Sequence, residues 1–170
     1  MKIKKLLFSM ALICSLPMQA QDQIIDDFEN GKLNFSSNGG EMGNFQYEVV
    51  TNPSKSGINT SEYVLKFKRT VANTPNWGGY WFDLKEEIQS LVKPQEYRYA
   101  HVKYYRIDEQ SYMKVKIEQS TTGGAAKEVA SINAPQKLNK WEDLVFDFEG
   151  AVGPYSRMTL MPDFVSDRPA

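Results

Sequence analysis

Short runs of period-two alternation between apolar and polar side chains dominate the chain, and each run stops at Gly, Asn, Pro or Ser. Such alternation is the signature of a strand with one buried and one wet face. It predicts strands over Ile24–Phe28, Phe45–Val50, Tyr63–Thr70, Gly79–Leu84, Tyr99–Arg106, Tyr112–Glu118, Lys127–Ile132, Trp141–Phe148 and Met158–Met161. Turn signals separate them at Asn38-Gly39-Gly40, Asn52-Pro53, Gly123-Gly124 and Gly153-Pro154. Only Lys85–Val92 reads as helical, and briefly. Short strands at this spacing predict an all-β, antiparallel β-sandwich of the jelly-roll kind.

The same alternation sorts faces. Met113, Val115 and Ile117 point one way; Tyr112, Lys114, Lys116 and Glu118 point the other. Ala100, Val102 and Tyr104 read as buried, with Tyr99, His101, Lys103 and Tyr105 outward. A hairpin through Ile107–Ser111 would merge these two outward faces into one surface carrying Tyr99, Tyr105 and Tyr112 among Lys114, Glu118 and other charges. A merely solvated sheet face is the alternative. Leu144, Phe146 and Phe148 share a core side with Trp141 as a lid at the strand entrance; Tyr63, Leu65 and Phe67 form another buried set.

The first twenty residues change the picture by removing themselves from the fold. Lys2, Lys4 and Lys5 precede a short apolar run, Leu6 to Leu16, and Pro17-Met18-Gln19-Ala20 ends on a small residue. This is the pattern of a signal peptide over residues 1–20, with one β-sandwich domain over 21–170. The expected location is outside the cytoplasm: periplasm, cell surface or medium. Cys14 lies inside the apolar run behind Ile13, which is not the small residue a lipoprotein signal needs. Cleavage leaves no cysteine, and hence no disulfide, thiolate metal site or thiol nucleophile. It also takes the formal charge from −1 to −4, because three lysines and no acids are lost. A mildly acidic chain without a basic run argues against nucleic acid, and no later segment is apolar enough to insert in a membrane.

Candidate chemistry concentrates in Asn76-Trp77-Gly78-Gly79-Tyr80-Trp81-Phe82-Asp83-Leu84. The glycines let the backbone turn or approach a ligand closely. If Tyr80, Phe82 and Leu84 face the core, Trp81 and Asp83 face out together, a stacking plane beside an acceptor; the reversed register buries Trp81. Trp77 is the loop candidate. Aromatics beside strands are more often core than platform. Enzyme signatures are nearly absent. His101 is the only histidine and no Gly-x-Ser-x-Gly elbow accompanies it. Asp26/Asp27 and Glu142/Asp143 are sequence neighbours that point apart when extended, while Asp147/Glu149 share a face at a strand end. Glycoside hydrolysis needs two carboxyls facing each other across about 5–10 Å, so no enzyme activity is expected.

Several blocks together carry a resemblance. They are Asp26-Asp27-Phe28-Glu29, the run from Asn52-Pro53 to Thr60-Ser61, Trp77-Gly78-Gly79-Tyr80-Trp81-Phe82, Trp141 to Phe148, and Met161-Pro162-Asp163-Phe164. In this order they resemble the galactose-binding-like jelly-roll domains of secreted bacterial polysaccharide-utilisation proteins, which are taken to be carbohydrate-binding modules. The resemblance implies a polysaccharide or oligosaccharide ligand, and a glycoside hydrolase module as a companion. It also implies a closing strand after the Pro-Asp-Phe block. The chain runs to Ala170, within what would be the loop leading there. The expected jelly roll therefore lacks its usual final strand and has an open edge prone to association. Finally, it implies a structural Ca²⁺ held in part by Asp27 and Glu29; solvated carboxylates are the equal alternative.

The expectation is thus a non-catalytic, exported polysaccharide-binding domain needing no cofactor. Trp77, Trp81, Tyr99, Tyr105 and Tyr112 are the stacking candidates, and Asp83, Lys114 and Glu118 the hydroxyl partners. The rivals are a structural domain that docks a protein partner through its open sheet edge, and, last, a glycoside hydrolase or lyase. Two aromatic platforms covering about 100 Å² each give at most ~5 kcal/mol gross. Part of this is lost to the costs of association, which puts expected dissociation constants on the order of 0.1–1 mM.

Overall fold

The computed structural model describes residues 24–31, 38–40, 45–69, 79–88, 98–107, 113–119, 126–133 and 137–162. The expected signal peptide, Trp77 and Tyr112 lie outside the described residues. The described residues form nine strands: β1 (Asn38–Gly40), β2 (Phe45–Thr51), β3 (Tyr63–Arg69), β4 (Tyr80–Ile88), β5 (Tyr99–Tyr105), β6 (Lys114–Glu118), β7 (Ala126–Ala130), β8 (Trp141–Asp147) and β9 (Tyr155–Met161). No described residue is helical. The strands form a five-stranded sheet in the order β1-β4-β9-β6-β7 and two-stranded sheets β2-β3 and β5-β8, with every pairing antiparallel.

All three sheets turn one face to a common core, which gives the molecule a β-sandwich-like character. Tyr80 and Phe82 of β4, Val115 and Ile117 of β6, Leu144 and Phe146 of β8, and Met158 of β9 are buried, together with Met113, Phe148, Ala151 and Tyr155. Leu65 and Phe67 of β3 and Ala100, Val102 and Tyr104 of β5 pack against them. Complete burial of a Leu- or Phe-sized side chain is worth about 1.5–3 kcal/mol, so this inward set carries most of the drive to fold. Tyr47 of β2 reaches Tyr80 with ring centroids 4.3 Å apart, joining the β2-β3 ribbon to the large sheet. Burial is the main cause that pushes the Tyr80 hydroxyl well above the usual tyrosine range.

Several expectations are corrected. Ile24–Phe28 is not a strand: the Phe28 amide donates to Asp26 Oδ1 at 2.8 Å and Phe28 adopts a positive φ of 59°. Short acceptor side chains bonded two residues onward make turns, and here they win over the apolar alternation. Asn38-Gly39-Gly40, expected as a turn, forms β1 along the edge of β4. Lys85–Ile88, expected to start a helix, continues β4, which meets β9 again at Ile88↔Tyr155 after a register shift. The hairpin between Tyr99–Arg106 and Tyr112–Glu118 does not exist. β5 pairs with β8, while β6 lies between β9 and β7. Tyr63 is 38% exposed where Val64 is buried, because Tyr63 opens its strand with its ring over the turn at Gly31. The inward assignments of Leu65, Phe67, Val115, Ile117, Leu144, Phe146 and Phe148 stand.

Candidate functional site

The outer face of the five-stranded sheet follows from its registers. Tyr80, Phe82, Val115, Ile117 and Met158 point into the core, so their alternating neighbours point away from it. One row across the sheet reads Gly39, Trp81, Thr159, Lys116, Glu128; the next reads Asp83, Arg157, Glu118, Ala126. On the other side of the first row lies Lys114, opposite Ala130 and Met161. Trp81, Asp83, Lys114 and Glu118, picked out along widely separated strands, therefore share one surface.

Their charges are closed on one another. Arg157 Nε donates to Asp83 Oδ1 at 2.7 Å and Nη2 to Oδ2 at 3.3 Å. Its guanidinium carbon sits 3.9 Å from the Trp81 ring centroid, so one side chain stacks on the indole and forks onto the carboxylate. Lys116 Nζ lies 2.6 Å from Glu118 Oε2, and Lys114 Nζ 2.8 Å from Glu128 Oε1. The six charged side chains range from 22% exposed for Asp83 to 37% for Glu128; the most exposed of them is on the edge strand β7, and those of β9 and β6 have a strand on each side. Thr159, between Trp81 and Lys116, is buried.

Gly79 has a different job from the one its sequence position suggested. A Cβ there would run into the Leu160 carbonyl oxygen and come within 2.9 Å of Met161 Cγ. Its bareness serves the close approach of β4 to β9, and so sets the ladder that holds Trp81 against Arg157.

A second surface lies on β5 and β8. Tyr99 is 52% exposed and its ring lies 5.3 Å from the Arg98 guanidinium carbon. Arg98 forks onto Asp147, with Nε to Oδ1 at 2.5 Å, and reaches Glu149 at 3.1 Å. That fork is the leading cause holding the Asp147 carboxyl below the usual carboxylate range. His101 Nδ1 meets Asp143 Oδ2 at 2.8 Å in the open. At the far end Tyr105 lies beside Trp141, centroids 5.2 Å apart. Trp141 is less a lid than an anchor: its Nε1 donates to Ser54 O at 2.8 Å and to Asn52 Oδ1 at 3.2 Å. Buried Asn52 also donates to Ser61 O at 2.9 Å, which holds the 52–61 loop closed.

The stacking and polar candidates thus divide. Trp81, Asp83, Lys114 and Glu118 lie on the large sheet, and Tyr99 and Tyr105 on β5. Arg157, Thr159, Lys116 and Glu128 complete the first group and were not among the expected site residues. Arg157 was missed because the predicted last strand began at Met158, whereas β9 begins at Tyr155. Carrying the alternation back from Met158 would have placed Arg157 opposite the core.

At the expected Ca²⁺ position, Asp27 Oδ1 accepts the Glu29 amide at 3.1 Å and Glu29 Oε1 accepts the Glu62 amide at 2.9 Å. Among the described residues no three acidic, histidine or cysteine side chains gather to hold a metal. Two carboxylates, each with one oxygen accepting a backbone amide, supply part of the six to eight oxygens that a Ca²⁺ shell takes. Comparison with protein-family models finds no match, and neither the curated proteins nor the solved structures yield a significant relative.

Proposed function

We propose that this protein is a non-catalytic carbohydrate-binding domain that acts after export and holds a polysaccharide on the outer face of its five-stranded sheet. The observation that carries this reading is the convergence of Trp81, Asp83, Lys114 and Glu118, from β4 and β6, with Arg157 between them. A sugar chain offers apolar C–H faces and a dense fringe of hydroxyls. It is matched by an aromatic edge next to a bank of fixed donors and acceptors. In this reading the fold is a galactose-binding-like jelly roll, and the β2-β3 and β5-β8 ribbons together face the large sheet. Catalysis is not part of it, since Asp83 is committed to Arg157, and Asp147 and Glu149 to Arg98.

Native gels cast with soluble β-glucans, xylans, mannans or pectins test the reading at the weak affinities expected. Retardation by one glycan, lost in a folded Trp81→Ala variant, supports it. Normal migration in every gel overturns it and turns attention to a protein partner at a sheet edge.

A further inference from the structure

Five strands floor the core in the order β1-β4-β9-β6-β7, and four cover it, as the ribbons β2-β3 and β5-β8. Each ribbon is tied to one rim of the floor. β7 runs on into residues that bond along β8: the Ile132 amide donates to Val145 O at 2.8 Å. The Asn133 side chain accepts from the Val145 amide at 2.8 Å and donates to Asp143 O at 2.6 Å. β8 thus lies at the β7 rim, with β5 on its inner side. At the other rim β2 follows β1 in the chain, and its Tyr47 ring lies 4.3 Å from that of Tyr80 on β4. No described strand is left to lie over β9, the middle of the floor.

Burial marks the same break. Leu160 of β9 points inward between Tyr80 and Val115, its partners in the two ladders. Both neighbours are 0% exposed, yet Leu160 is only partly buried, as are Leu65 on β3 and Ala100 and Val102 on β5. Floor strands flank Leu160 on both sides, so its exposure comes from above.

The edge of β5 along this break is unsatisfied. The Phe148 amide donates to Arg98 O at 2.9 Å, which fixes the phase of the β5–β8 ladder. Tyr99, His101, Lys103 and Tyr105 therefore turn their backbone N–H and C=O groups away from β8, where no described strand meets them. The outward side chains along the break are basic: Lys66 and Lys68 on β3, His101 and Lys103 on β5. Glu48 engages Lys66 and Asp143 engages His101; among the described residues Lys68 and Lys103 meet no carboxylate.

We propose that the break between the ribbons is a strand-acceptor slot, filled by one extended segment of a separate polypeptide. Its alternate side chains are apolar toward Leu160 and acidic toward Lys68 and Lys103. Such a strand satisfies the β5 edge, covers the apolar residues left part-exposed, and neutralises the basic rim.

The probe is a capped eight-residue peptide alternating valine and glutamate. Its controls are a valine–lysine counterpart and a version N-methylated at alternate amides. Thermal melts and amide hydrogen exchange of the whole protein are the readouts. In the protein alone, the amides of Tyr99, His101, Lys103 and Tyr105 should exchange fast. The glutamate peptide should slow all four and raise the melting temperature; the N-methylated one should do neither. The lysine peptide should bind about tenfold more weakly, and Lys68→Glu or Lys103→Glu, each checked for folding, should weaken the glutamate peptide by a similar factor at low salt. Slow exchange of the four amides without peptide overturns the proposal, because this chain or a second copy of it then fills the edge. Unchanged exchange with the glutamate peptide overturns it too, as does equal binding of the two charged peptides.

Discussion

The two outward faces are written in nearly the same sequence language and behave differently. On the large sheet, Trp81-x-Asp83, Lys114-x-Lys116-x-Glu118 and Arg157-x-Thr159 alternate with core residues; on the small one, Tyr99-x-His101-x-Lys103-x-Tyr105 does the same. On the large sheet, ion-paired side chains are 22–37% exposed; on the small sheet the mid-strand His101–Asp143 pair is 57% and 44% exposed, while the Arg98–Asp147 fork at the strand end is 33% and 22% exposed. At mid-strand the difference comes from sheet width. β9 and β6 have a strand on each side, so their outward side chains are packed laterally, while β5 pairs with β8 alone among the described strands. An isolated pair can be fixed at a strand end, as Arg98 and Asp147 are, but a row of polar side chains across several strands needs lateral neighbours that remove freedom and part of their water.

The largest effect that tests this comparison is expected at Gly79. Gly79→Ala forces a methyl group into the β9 backbone and should cost about 3 kcal/mol or lead to misfolding. At Gly57, where a Cβ meets nothing but φ is +65°, alanine should cost only about 1 kcal/mol. Urea denaturation of both variants compares them, and equal midpoints would deny the close approach of β4 to β9. Next in size, Arg157→Ala takes the guanidinium from a half-buried Asp83 and should cost about 2 kcal/mol. His101→Ala breaks an exposed pair and should cost less than about 0.5 kcal/mol. Similar losses for the two would erase the distinction between the faces.

The smallest effect concerns acid. Arg98 depresses the Asp147 carboxyl in the folded state, so its contribution is complete above the unfolded value of about 3.9. It is lost as the pH falls through the lower folded value. Thermal melts below about pH 4 should therefore decline less steeply for Asp147→Asn than for the wild type, with the curves parallel at neutral pH. A variant that follows the wild-type slope throughout the acid range would show that the fork with Arg98 is not maintained in solution.

Much of the fold was legible. Alternation sorted Val115, Ile117, Leu144, Phe146 and Phe148 inward and put Trp81 and Asp83 on one side of their strand without deciding which side, because a strand's pleat is a local property with a period of two. At Ile24–Phe28 the pattern failed, since the Asp26 side chain bonds its own neighbourhood more cheaply than a strand can form. It failed at Arg157 for want of three residues at the start of β9.

What no reading of single strands could supply was adjacency. Sequence order suggested a β5–β6 hairpin that would have joined Tyr99, Tyr105 and Tyr112 to Lys114 and Glu118. In the folded chain β9 comes between β4 and β6, and brings Arg157 against Trp81 and Asp83. The sequence by itself determined the all-β character, the approximate spacing of most strands and which residues share a side of each, all consequences of local backbone geometry. The tertiary structure alone decided which strands are neighbours, because that choice depends on how one core is filled from three sheets at once. The paired charges beside Trp81 are a product of that choice.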